Sequence, residues 1–146
     1  MQGVIIKELK QLHDERGWLV EIFRDDEIAF GPVMSYVSVT RPGICRGPHE
    51  HCEQSDYFCL LGNFRLYLWD NRKDSETFGE RLVFETEGKP HIAIVPPHVV
   101  HAYRNVGDID GLVINLPDRL YRGKGKEQPV DEIRYEGDPN SPFRAD

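Results

Sequence analysis

The stretch Arg46-Gly47-Pro48-His49-Glu50-His51-Cys52-Glu53-Gln54-Ser55-Asp56 gathers two of the chain's six histidines with an arginine and several acids, and His101 follows fifty residues after His51. Imidazole titrates near neutrality, so it can take a proton from a substrate and return it at working pH, and it also ligates metals. On a strand, residues i and i+2 share a face about 7 Å apart, so His49 and His51 can converge on one small object while Glu50 points away. A solvated polar strand end would carry the same pair, so this spacing by itself leaves both readings open.

Strands must position these residues. Apolar positions recur with a period of two in short segments broken by Gly, Pro, Asn and Asp, the pattern of half-buried strands. The sequence predicts strands over Val4 to Leu9 and Trp18 to Phe23, joined through the polar turn His13 to Gly17, and a short helical turn over Asp25 to Phe30 that Gly31-Pro32 stops. Further strands are expected over Tyr36 to Thr40, from Ile44 into the histidine stretch, and over Tyr57 to Leu61, Phe64 to Trp69, Arg81 to Glu85, His91 to Val95, Val99 to Tyr103 and Gly111 to Leu116. Gly62-Asn63, between two of them, predicts a tight hairpin, because both residues tolerate positive φ. After Pro117 the alternation fails, and residues 122–146 read as an irregular C-terminal tail wrapping the barrel or a partner subunit. About ten short strands with almost no helix imply an all-β sandwich closed toward a barrel, in one domain spanning 1–146.

A chain of 146 residues with 39% hydrophobic content supports one core and excludes wholesale disorder. The net charge of −7 argues against nucleic acid or an anionic membrane as partner, so any anionic ligand must be met by local arginines. No apolar run reaches the roughly 20 residues of a membrane span and the N-terminus lacks a signal-peptide core, so the expected location is the cytoplasm. Cys45, Cys52 and Cys59 are odd in number and lack Cys-x-x-Cys spacing, which points to free thiols, with Cys45 and Cys59 buried and Cys52 exposed. Tyr57, Phe64, Tyr67 and Trp69 read as core, and His13, His91 and His98 as surface or strand-edge residues.

Gly43-x5-His49-x-His51-x4-Asp56 and Pro96-x-His98-x2-His101-x3-Asn105 resemble the two signature motifs of the cupin superfamily, with Asp56 where Glu is usual and His98 where Gly is usual. The resemblance implies a cupin-type double-stranded β-helix, a jelly-roll barrel whose facing strands bring His101 to His49 and His51. A narrower resemblance covers residues 4 to 121. Asp14 to Trp18 with Glu21, Arg46 to His49, Gln54, Asp70 to Gly79 and Val95 to His101 look like the ordered motifs of the dTDP-4-dehydrorhamnose 3,5-epimerase family. That likeness implies proton abstraction next to the keto group of a dTDP-4-keto-6-deoxy sugar. His49 would be the base, with His51 and His101 assisting. Arg16 and Arg46 would hold the diphosphate, Glu21 would lie near the nucleoside, and Gln54, Asp56 and Tyr103 would line the sugar site. It also implies a homodimer in which N-terminal strands reach the neighbouring site, and no cofactor.

The departures open other readings. The family's general-acid tyrosine falls on Ile114 by counting from His101, and its lysine near the keto group falls on Asp56. Tyr103 or Tyr121 would then have to replace the tyrosine, and Asp131 or Asp138 would supply the carboxylate behind the base. His49-x-His51 after Arg46-Gly47 also resembles the nucleotide-sugar 3,4-ketoisomerases, which need no opposite-face tyrosine. His49, His51, Asp56 and His101 together form a donor set suited to a divalent transition metal. A non-catalytic sugar-nucleotide binding module is the remaining alternative.

Overall fold

A computed structural model describes residues 1–145. Twelve strands form: β1 (Ile5–Glu8), β2 (Leu12–Asp14), β3 (Gly17–Leu19), β4 (Tyr36–Thr40), β5 (Cys45–Glu50), β6 (Asp56–Leu61), β7 (Phe64–Asp70), β8 (Arg81–Glu85), β9 (His91–Val95), β10 (Val99–Asn105), β11 (Gly111–Asn115) and β12 (Ile133–Arg134). Two antiparallel five-stranded sheets face each other, sheet one in the order β1-β9-β6-β11-β4 and sheet two in the order β12-β5-β10-β7-β8, while β2 and β3 pair only with each other. This is the jelly-roll barrel expected from the sequence.

Both faces of the central strands are covered, which is why β6, β7, β9 and β10 read as apolar runs and not as clean alternation. Phe58, Leu60, Phe64, Leu66, Leu68, Val95, Val99 and Val113 fill the space between the sheets. On the outer side of sheet one, Tyr57, Cys59 and Ile92 are covered by Leu9, Ile22, Phe23, Ile28 and Phe30 from the N-terminal segment. On the outer side of sheet two, Tyr67, Trp69 and Val100 are covered by Tyr135, Phe143 and Ala145. The C-terminal tail therefore completes the core through Tyr135 and Phe143, while Val130 and Ile133 stay exposed.

Three local expectations are corrected. Gly62-Asn63 does not close a hairpin, because β6 pairs with β9 and β11 while β7 pairs with β10 and β8. It is a corner between sheets, where a Cβ on Gly62 would lie 3.1 Å from Gly111 Cα and 3.2 Å from the Phe64 ring. Residues 25–30, by contrast, make the single helical turn expected, with Ile28 N donating to Arg24 O at 3.2 Å. His91 is buried against Phe84, at 5.0 Å between rings, with Nδ1 paired to Lys89 O. Cys59 is buried and Cys52 exposed as expected, while Cys45 is only partly covered.

Candidate active site

The histidine stretch enters the barrel through an irregularity in β5. His101 pairs with His49 and Tyr103 with Arg46, so Gly47 and Pro48 of β5 oppose Ala102 alone on β10. Such a bulge re-aims side chains. It lets Arg46 and His49, three apart, both line the cleft. Gly47 sits at φ +87°, and a Cβ there would lie 2.5 Å from His101 O, so only glycine fits this approach of β5 to β10. The rings of His49 and His101 then stand 4.4 Å apart edge to face, with His51 at 5.6 Å from His49 and 5.8 Å from His101.

Asp56, at the start of β6 on the facing sheet, is buried beneath this cluster. Its Oδ2 lies 3.2 Å from His51 Nε2 and 3.3 Å from His101 Nε2. Its Oδ1 accepts from Gln54 Nε2 at 2.8 Å and from Asn115 Nδ2 at 2.7 Å. His51 Nδ1 meets the backbone carbonyl of Asp131, which can only accept, while Nε2 faces both Asp56 Oδ2 at 3.2 Å and the Gln54 amide nitrogen at 3.3 Å; the carbonyl and the carboxylate favour the charged ring. Burial alone would lower His51, but the bond and charge of Asp56, with the Asp131 carbonyl behind, raise it to about 9. The same partners reverse the effect of burial on Asp56 and hold it at about 2. Burial pushes His101 below its ordinary value, and His49 falls to about 2 through burial and the neighbouring His101 and His51. The cluster is thus one ion pair, His51 with Asp56, flanked by two neutral imidazoles.

The tail closes the other side. The Asp131 carboxylate accepts the backbone N–H groups of Cys52, Glu53 and Gln54 at 3.0, 2.9 and 2.9 Å, fixing the loop after β5. Glu132 Oε1 and Glu136 Oε1 stand 3.7 and 3.8 Å from His49 Nδ1. Tyr135, also on the cleft wall, donates its Oη proton to the buried Glu50, which Asn71 also meets at 2.9 Å. Between tail and barrel lies a cleft of ≈ 1730 Å³ lined by Tyr36, Arg46, His49, His51, Tyr103 and Glu132 among others. It is large enough for a nucleotide-sized ligand.

The sequence profile of the dTDP-4-dehydrorhamnose 3,5-epimerase family matches residues 1–128. The chain belongs to that family. A protein of Haloferax volcanii described as "Probable low-salt glycan biosynthesis epimerase" is 38% identical over 126 residues, covering 83% of this chain and 81% of that one. A spore coat polysaccharide biosynthesis protein of Bacillus subtilis is 34% identical over 143 residues, covering 94% and 91%. Among solved structures, a dTDP sugar isomerase from Desulfovibrio desulfuricans superposes with a TM-score of 0.82 at 24% identity, over 98% of this chain and 90% of the other. A 3'-monoepimerase from Streptomyces bikiniensis, solved with dTDP-quinovose, gives 0.74 at 22% identity, over 99% and 80%. These two establish the shared fold.

As a member of the dTDP-4-dehydrorhamnose 3,5-epimerase family, the chain brings His49, His51, His101, Gln54, Asp56, Arg46 and Tyr103 to one cleft. Arg46 donates to Thr40 Oγ1 at 3.1 Å and to Val39 O at 2.8 Å, tying β5 to the edge of sheet one. Arg16 and Glu21 are elsewhere. Arg16 caps the β2–β3 hairpin through Asp14, and Glu21 pairs with Arg24 at 3.3 Å. Ile114 lies in the apolar layer outside sheet one, and it is Asn115 that turns inward. Glu132 and Glu136 face the His49 ring where the sequence pointed to Asp131 or Asp138; Asp131 holds the 52–54 amides, and Asp138 accepts from Asn140 N at 2.8 Å. His49, His51 and His101 also each offer a nitrogen within 4.8 Å of the others, and His49 Nδ1, His101 Nε2 and Asp56 Oδ2 lack hydrogen-bond partners of good geometry. Such a donor set fits a divalent transition metal, although a cation would have to displace the His51 proton.

The protonation pattern predicts a two-sided stability profile. His51, raised from 6.5 to about 9, contributes stability fully present below 6.5 and lost as pH rises through about 9. His49 and His101, depressed in the fold, take up protons on unfolding, so stability also falls as pH drops below 6.5. The Asp56 contribution is present above 3.8 and fades only toward about 2. Melting temperature measured across pH is expected to peak near 6.5, the ordinary histidine value, and His51→Gln is expected to flatten the alkaline limb. An alkaline limb unchanged in that variant would remove the imidazolium assignment.

Proposed function

We propose that this protein epimerises a dTDP-4-keto-6-deoxy sugar, removing a proton from a carbon next to the keto group with His49. The observation that carries this reading is the cleft-lining His49 with Glu132 and Glu136 3.7 and 3.8 Å from its Nδ1. A neutral imidazole can accept a proton, and the two carboxylates stabilise the imidazolium as it forms. His51, charged and beside His101, stabilises the developing enolate through its charge, its two ring nitrogens being engaged by Asp131 O and Asp56. Arg46, on the cleft wall, is the positive group of this chain assigned to the diphosphate.

The second arginine requires a partner. Among the described residues the β2–β3 hairpin pairs with no other strand, and it exposes Leu12, Trp18 and Leu19, each half exposed or more. A homodimer in which this hairpin, with Arg16 and Glu21, reaches the neighbouring cleft accounts for both the apolar surface and the two stranded residues. Among the described residues no helix is long and apolar enough to cross a membrane.

Incubation with dTDP-4-keto-6-deoxyglucose in D₂O, followed by NMR, tests the reading. Deuterium is expected at C3, C5 or both, with a new keto sugar; no incorporation would refute proton abstraction on this substrate, and a 3-keto product would make the protein a ketoisomerase. The metal reading, favoured by the three converging imidazoles, is tested by elemental analysis of protein purified without a histidine tag. A stoichiometric transition metal that disappears in His51→Ala would place His49, His51, His101 and Asp56 around a cation.

A further inference from the structure

Inversion at carbon requires one proton removed from one face and another delivered to the opposite face. His49 and His101 stand on β5 and β10, both in sheet two. The second proton must come from another wall of the cleft, sheet one or the tail.

Asn115 shows which group on the sheet-one wall can give it. Its Oδ1 accepts from Tyr57 N at 3.1 Å, while its Nδ2 donates to Asp56 Oδ1 at 2.7 Å and to Tyr36 Oη at 2.9 Å. A carboxylate only accepts, so the nitrogen must be the atom facing Asp56, and its second hydrogen goes to Tyr36. The Tyr36 hydroxyl is therefore held as an acceptor. Its own proton meets no acceptor among the described residues and is left to donate into the cleft that Tyr36 lines.

We propose that Tyr36 is the acid of this enzyme, protonating the substrate carbon on the face opposite His49. The assignment rests on the epimerase reading above. His49 takes the carbon-bound proton, and the bonding pair becomes the enolate. The Tyr36 O–H then breaks as its proton forms the new C–H bond. The tyrosinate regains a proton from water, and the His49 imidazolium releases one. Burial pushes Tyr36 up to about 12, so the hydroxyl is fully protonated at neutral pH and ready to donate. The other tyrosines are less well placed. Tyr103 lies on β10, the same sheet as the base, with its hydroxyl 3.2 Å from Ser38 Oγ. Tyr121 also lines the cleft, from the irregular tail, and lacks a donor that holds its hydroxyl as Asn115 holds that of Tyr36 among the described residues.

Tyr36→Phe removes one oxygen from a half-exposed ring and separates abstraction from delivery. In D₂O with dTDP-4-keto-6-deoxyglucose, the variant is expected to keep deuterium wash-in at the reacting carbon within about threefold of wild type. Inverted product is expected to fall by roughly 100-fold or more, the usual scale for a general acid. Inversion at the wild-type rate would overturn the assignment, and so would wash-in and inversion falling together, because that would place Tyr36 at binding or abstraction. A wild-type enzyme that shows no wash-in overturns the epimerase reading and this inference with it, an outcome distinct from failure of Tyr36 alone.

Discussion

His49→Asn is expected to reduce both deuterium wash-in and product formation by about 10²–10⁴-fold, with little change in melting temperature. The ring is the neutral member of the cluster that lines the cleft and has carboxylates behind it, at 3.7 and 3.8 Å. Asparagine retains an amide that can face Glu132 and removes the basic nitrogen. Binding should survive, because Arg46 and the cleft walls are untouched, so the loss is expected in kcat and not in KM. Glu132→Gln should reproduce a smaller part of the same loss, since it weakens the imidazolium that forms without removing the base. Single-turnover measurement in D₂O checks this directly. His49→Asn with wild-type wash-in would remove His49 as base and turn attention to the neutral His101, which shares the edge-to-face contact at 4.4 Å.

Much of the barrel was legible because period-two patterning and turn residues act locally. The strands read at Tyr36 to Thr40, Arg81 to Glu85 and His91 to Val95 coincide with β4, β8 and β9. Pairing was less legible, as Gly62-Asn63 shows: the local signal is a turn, but which strands it joins laterally depends on partners far along the chain. The meeting of His101 with His49 and His51 followed from the resemblance to the two cupin motifs. Three further features of the cleft did not. The β5 bulge depends on Gly47 packing against the His101 carbonyl, a long-range contact. The roles of Glu132 and Glu136 depend on the path of a tail without periodicity. Counting along the chain placed Ile114 at the tyrosine position, but the strand's alternation turns Asn115 inward and delivers a hydroxyl from β4, its neighbour in the sheet. Cross-strand register, which no single stretch of sequence encodes, made that difference.

Asp56→Ala should be the most destabilising single change in the cleft. Asp56 is 1% exposed and is the counter-ion of an imidazolium whose side chain is 12% exposed. Removing one partner of a buried pair typically costs about 3–5 kcal/mol, because the other charge is left uncompensated. His51 has an escape, since it can release its proton. Returning its pKa from about 9 to 6.5 or below forfeits roughly 3 kcal/mol, at about 1.4 kcal/mol per unit. Either route gives a loss of the same size, and the melting temperature is expected to fall on the order of 10 °C. Asp56→Asn should cost less. Its retained oxygen can still accept from Gln54 and Asn115, and its amide can donate to His51 once that ring is neutral. The two variants should share one signature, loss of the alkaline stability limb, because neither leaves a carboxylate to hold the His51 proton. Thermal denaturation of both across pH decides the matter: a melting temperature for Asp56→Ala within a degree or two of wild type, with the alkaline limb intact, would show that the charge on His51 is held by some group other than Asp56.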